Sequence, residues 1–129
     1  RHFSGRGLWP YNQTLSAGWA FKYKNKRVFF GGDTGMLPNF TEIGERLGPF
    51  DLTLMPIGAY DIYWAGIHLT PEEAVQAHKM VNGKVLLPIH WGTYDLSRHA
   101  WDEPIKRFRD AVKGVDHVTP LPGEVVNLP

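Results

Sequence analysis

Three short apolar runs, at residues 27–31 (RVFFG), 51–57 (DLTLMPI) and 84–89 (KVLLPI), are separated by stretches of helical periodicity. In residues 38–47 (PNFTEIGERL), Phe40, Ile43 and Leu47 fall on one helical face, and Gly48-Pro49 stops the helix. Thr70-Pro71-Glu72-Glu73 is a helix start: Thr70 suits the N-cap, Pro71 the first helical position, and Glu73 completes a capping box. That helix runs to about Val81, where Asn82-Gly83 ends it, and residues 103–112 space Ile105, Phe108 and Val112 as a core face. Strands alternating with short helices specify an α/β chain whose sheet is at least partly parallel. Residues 14–23 (TLSAGWAFKY) and 27–31, joined by the polar turn Lys24-Asn25-Lys26, predict an antiparallel hairpin. Residues 117–121 predict a last short strand, and Pro88 puts its run at a strand end or a sheet edge.

In such folds polar chemistry gathers in the loops just past the C-terminal ends of strands. Three places qualify: Gly31-Gly32-Asp33, Pro56-Ile57-Gly58-Ala59-Tyr60 and Ile89-His90-Trp91-Gly92-Thr93. Taken singly, Asp33 reads as a turn-bracing carboxylate and His90 as a hydrogen-bonded strand-end histidine. Taken together they are metal-capable groups delivered to the same sheet edge, and His2, flanked by Ser4-Gly5-Arg6-Gly7, adds a third. The chain has no cysteine, which leaves His, Asp and Glu as its strong metal ligands. Two imidazoles and a carboxylate form the open triad that zinc hydrolases use, where zinc lowers the pKa of water to about 7.

His68, two residues before the capping box, is a candidate proton donor to a leaving group or a support for the ligands. His78, His99 and His117 read as structural or solvated, and the tryptophans as core or pocket wall. Tyr60, Tyr63 and Trp64 are candidates to line an apolar substrate channel. Asp33-Thr34-Gly35 also matches the catalytic tripeptide of aspartic proteases, but those are all-β, and the helices at 70–81 and 103–112 oppose that reading.

With 129 residues, 43% of them hydrophobic and 21% charged, the composition is that of one soluble globular domain. A formal charge of +1 gives no strong field toward nucleic acid or an anionic membrane. No apolar run is long enough to span a membrane, and no leader pattern is present, so a cytoplasmic location is expected, with contact at a membrane surface as an option. The first residue is Arg1 rather than Met, from which a fragment or processed chain is expected.

Seven blocks recur in order: His2-Phe3-Ser4-Gly5-Arg6, VFFGGDTG at 28–35, Glu42-Ile43-Gly44-Glu45-Arg46 with Gly48-Pro49-Phe50-Asp51-Leu52, Pro56-Ile57-Gly58-Ala59-Tyr60, His68 with Pro71-Glu72-Glu73-Ala74, Ile89-His90-Trp91-Gly92-Thr93, and Pro122-Gly123-Glu124. Over nearly its whole length the chain resembles the C-terminal half of the metallo-β-lactamase-fold hydrolases similar to N-acyl-phosphatidylethanolamine phospholipase D. The resemblance implies half of an αββα sandwich and a two-zinc site acting on an ester or phosphodiester. His2 would bind one zinc, Asp33 would bridge both, His90 would bind the other, and His68 would stand near the substrate phosphate. The family's His-x-His-x-Asp-His cluster is not in the chain, and its Tyr-Glu-Pro-Arg-Trp loop is here Tyr60-Asp61-Ile62-Tyr63-Trp64. A half sandwich exposes an apolar face, so self-association, or pairing with an N-terminal half, is expected. The alternative is a non-catalytic module that keeps the fold and binds a partner or a single metal.

Overall fold

The computed structural model describes residues 17–127. Strand β1 (Trp19–Tyr23) turns at Lys24, whose φ of 53° is left-handed, into β2 (Lys26–Phe30), and the two pair antiparallel. Helix α1 (Phe40–Leu47) leads to β3 (Phe50–Pro56), and α2 (Pro71–Met80) leads to β4 (Gly83–Ile89). Helix α3 (Glu103–Ala111) closes the order of elements. The sheet runs β1-β2-β3-β4, with β2, β3 and β4 mutually parallel. A parallel step must bring the chain back to the edge where the previous strand began, which is why a helix lies between its strands.

Local chemistry sets the boundaries. At α2, Thr70 Oγ1 accepts from the Glu73 amide at 3.2 Å, and Glu73 Oε2 accepts from the Thr70 amide at 2.8 Å, so the capping box is complete. β4 is an edge strand among the described residues, which accommodates Pro88 within it. The expected strand at 117–121 does not form. His117 makes a single parallel bridge to Leu86, and Pro120 and Pro122 then supply no amide to continue a ladder.

The two faces of the sheet differ. Phe29, Thr53, Met55 and Leu86 point to the helices and join Phe40, Leu69, Ala74, Val81, Ile105 and Phe108 in the core. On the opposite face, register aligns Trp19, Phe30, Leu54 and Leu87 in one cross-strand row and Phe21, Val28, Leu52 and Val85 in another. Trp19 is 60% and Phe21 55% exposed, and the other six are half-buried. Trp19 is therefore neither core nor pocket wall here.

Candidate metal centre

The site is built from the segments that follow β2, β3 and β4. Gly31 continues the ladder by donating to Leu54 O at 2.9 Å, Gly32 turns at φ 68°, and Asp33 follows with an exposed carboxylate. His90 comes directly after β4 in a left-handed conformation, φ 60°, which is rare for a non-glycine residue and typical of functional turns. His68 lies on the long loop after β3, and the neighbouring Leu69 amide donates to Thr34 O at 2.9 Å, tying that loop to the segment that carries Asp33.

Two close backbone approaches fix this arrangement. A Cβ at Gly35 would stand 1.8 Å from Gly66 O, and one at Gly58 would stand 2.2 Å from His90 O. Only glycine lets these loops meet.

His68 Nδ1 is 2.7 Å from Asp33 Oδ1, and His90 Nε2 is 3.9 Å from the same oxygen. The two imidazoles stack with centroids 5.4 Å apart at 23°. One donor atom each from Asp33, His68 and His90 lies within 4.8 Å of the others. A carboxylate and two imidazoles at that spacing, with Asp33 and His90 exposed, fit a divalent metal in donor type and reach. His2 lies outside the described residues. The sequence offered His68 as a proton donor or a support for the ligands, and the structure sets it beside Asp33.

The loop after β3 carries a 3-10 turn, Ile62–Trp64, started by Asp61, whose side chain accepts from the Tyr63 amide at 3.0 Å. A cavity of about 530 Å³ beside His68 is lined by Tyr60, Asp61, Tyr63, Arg98, Glu103 and Arg107, among others. Tyr60 donates to Glu103 Oε1 at 2.9 Å; burial first, and that hydrogen bond second, push its hydroxyl up to about 12, so it stays protonated. Trp64 is not among the residues lining this cavity, and its indole Nε1 donates to Ala59 O at 2.8 Å. A second cavity, of about 280 Å³ on the far side of His90, is walled by Trp91, Tyr94, Leu96 and Trp101.

Sequence reasoning passed over the contacts of Ala59 with His99 and of Tyr60 with Glu103, which join the loop after β3 to the loop after β4 and to the start of α3. Nothing in the sequence marks a pairing forty residues apart. His78 is structural, as expected: it is 2% exposed, with Nδ1 2.7 Å from Thr53 Oγ1.

Known proteins bear on the family. A model of the β-lactamase superfamily domain matches residues 1–91. An uncharacterized protein of Mycobacterium tuberculosis is 53% identical over 133 residues, covering 98% of this chain and 35% of that protein. The N-acyl-phosphatidylethanolamine-hydrolyzing phospholipase D 1 of Caenorhabditis elegans is 42% identical over 135 residues, covering 97% of this chain and 38% of that protein. The chain thus spans little more than a third of the length of these relatives. Among solved structures, the metallo hydrolase Igni18 of Ignicoccus hospitalis shares the fold at a TM-score of 0.64 and 24% identity, over 96% of this chain and 50% of its own. The chain belongs to the β-lactamase superfamily of metal-dependent hydrolases and carries the metallo-β-lactamase fold.

Proposed function

We propose that this chain is the C-terminal half of a zinc-dependent hydrolase that cleaves an ester or phosphodiester bond in a phospholipase D-like manner. The convergence of Asp33, His68 and His90 within 4.8 Å is the observation that carries this reading. The name of the Caenorhabditis elegans relative, which states hydrolysis of a phospholipid, supports the phosphodiester class. Asp33 and His90 are assigned as zinc ligands, with His2 as a further one and Asp33 as the bridge where two ions bind. When bound, zinc supplies Lewis acidity and an activated water at neutral pH.

The chain's own groups have distinct tasks. Asp33 brings negative charge to the ion and orients the His68 ring through Nδ1. His90 brings an imidazole nitrogen. His68 is assigned to protonate the leaving oxygen, the proton coming from Nε2. Tyr60 and Trp64 are assigned to the substrate side, Tyr60 as cavity wall and Trp64 through its hold on Ala59.

Partners and placement belong to the same proposal. The two apolar rows on the open sheet face support self-association, or cover by the half that carries the His-x-His-x-Asp-His cluster. No helix among the described residues is long and apolar enough to cross a membrane. A cytoplasmic location, with approach to a membrane surface for a lipid-like substrate, completes the assignment.

The second reading is a module that keeps the fold and one metal, or a partner, without turnover. Asp33, His68 and His90 offer donors enough for a single ion, which supports it. Zinc content by plasma mass spectrometry, for wild type, Asp33→Ala and His90→Ala, tests the metal role; equal and negligible zinc in all three overturns it. Hydrolysis of bis(p-nitrophenyl) phosphate by the zinc-loaded chain separates the two readings.

A further inference from the structure

The loop that carries His68 is held from one side by a residue outside the metal centre. Ala59, at the start of that loop, has φ 60°, a left-handed conformation that a residue with a Cβ keeps only when its surroundings impose it. Its amide donates to His99 Nε2 at 3.1 Å, and its carbonyl accepts from Trp64 Nε1 at 2.8 Å. Trp64 O in turn accepts from the Ile67 amide at 3.1 Å, and His68 follows Ile67. The next residue, Tyr60, packs against the His99 ring with centroids 4.4 Å apart and planes tilted by 30°, and its carbonyl accepts from Ser97 Oγ at 2.5 Å. His99 also lines both cavities, the one beside His68 and the one beside His90, and so stands in the wall between them.

The two nitrogens of His99 define its chemistry. Nε2 must be bare to accept from Ala59, while Nδ1 lies 3.0 Å from Ala100 O, a carbonyl that only accepts. Both contacts require the same neutral form, with the proton on Nδ1. A second proton would set two donors, Nε2–H and the Ala59 amide, against each other.

We propose that His99 is a positioning residue: through Ala59 and Trp64 it holds the His68 loop against Asp33, and it does so only as the neutral Nδ1–H tautomer. The proposal rests on the reading above that His68 takes part in hydrolysis. The groups around the ring are Tyr60 in direct contact, with Asp61, Glu73, Arg98, Glu103 and Arg107 around the cavity it shares with His68, and His90 and Tyr94 around the other. Since activity depends on His68 and His90 as well, activity alone would not isolate His99, and the test reads its ring directly.

Long-range 1H–15N spectra of the 15N-labelled chain are expected to show His99 with Nδ1 protonated and Nε2 bare at neutral pH. The Ala59 amide resonance should move as the ring takes its second proton. His99→Gln, whose side-chain oxygen accepts but does not titrate, should keep the Ala59 resonance constant across that range and keep most of kcat/KM for bis(p-nitrophenyl) phosphate. His99→Leu should displace the Ala59 and His68 resonances and lower kcat roughly 10- to 100-fold, with zinc content unchanged. An Nε2–H tautomer in wild type, or a His99→Leu chain with unshifted Ala59 and His68 resonances, overturns the proposal. If His99→Leu does not fold, the wild-type tautomer and the His99→Gln titration decide. The spectra need neither zinc nor turnover, so failure of the hydrolase reading would be seen separately.

Discussion

His68 Nδ1 stands 2.7 Å from Asp33 Oδ1, nearer to that carboxylate than His90 Nε2 at 3.9 Å. A proton donor and a metal ligand both suit such a place, and substitution separates them. His68→Gln is expected to retain zinc while kcat falls about 100-fold or more, the usual loss when a general acid is removed. Zinc content and steady-state kinetics on the same sample check this, and loss of zinc in step with activity would make His68 a ligand instead.

Gly35→Ala should disable the site without removing a polar side chain. The added Cβ would meet Gly66 O at 1.8 Å, so the two loops must part. A loss of roughly 1–3 kcal/mol in urea unfolding is expected, as for other overpacked positions, together with weaker zinc binding. Unchanged stability and zinc affinity would mean the loops do not meet as described.

Much of this was legible beforehand. The capping box at Thr70 and Glu73, the apolar periods of α1 and α3, and the strand-end positions of Asp33 and His90 are local signals, and local signals determine local structure. The contacts of Ala59 with His99 and of Tyr60 with Glu103 join the loop after β3 to the loop after β4 and to α3, and have no local period, so they emerge only with the fold. The strand expected at 117–121 failed for a related reason: its apolar character was visible, but Pro120 and Pro122 limited it to one bridge at His117.

His78 should make stability depend on pH. Burial, and secondarily the charge of Lys79, push its pKa down from 6.5 to about 4. The unfolded chain therefore takes up the proton first as pH falls. The destabilisation begins near 6.5, grows toward 4 and is constant below, with an upper limit of about 3 kcal/mol. Urea midpoints for wild type and His78→Gln between pH 8 and 4 measure it, the variant lacking this component.

The Arg107–Glu72 pair, at 2.6 Å with a second contact at 3.0 Å, ties α3 to α2 at a partly exposed position. Solvent and salt screen such pairs, so Glu72→Gln should cost less than about 1 kcal/mol, and less still in high salt. Thermal unfolding at two ionic strengths is sufficient to check it.

The apolar rows on the open sheet face should control assembly. Phe21→Lys combined with Trp19→Lys is expected to shift the chain toward monomer in sedimentation velocity, leaving the helix-side core untouched. Wild type that is already monodisperse and monomeric at micromolar concentration would remove self-association from the proposal.

The candidate ligands Asp33 and His90 sit just past the ends of β2 and β4, the two strands that flank β3 in the sheet. An ion held by them would be linked to strand register, because a slip of one residue in either strand would carry its donor away. Binding and folding then form one thermodynamic cycle: free zinc at a hundred times its dissociation constant would add about 2.7 kcal/mol to the stability of the sheet. The unfolding midpoint would rise with the logarithm of zinc concentration, so a zinc titration would report how firmly the three strands are aligned.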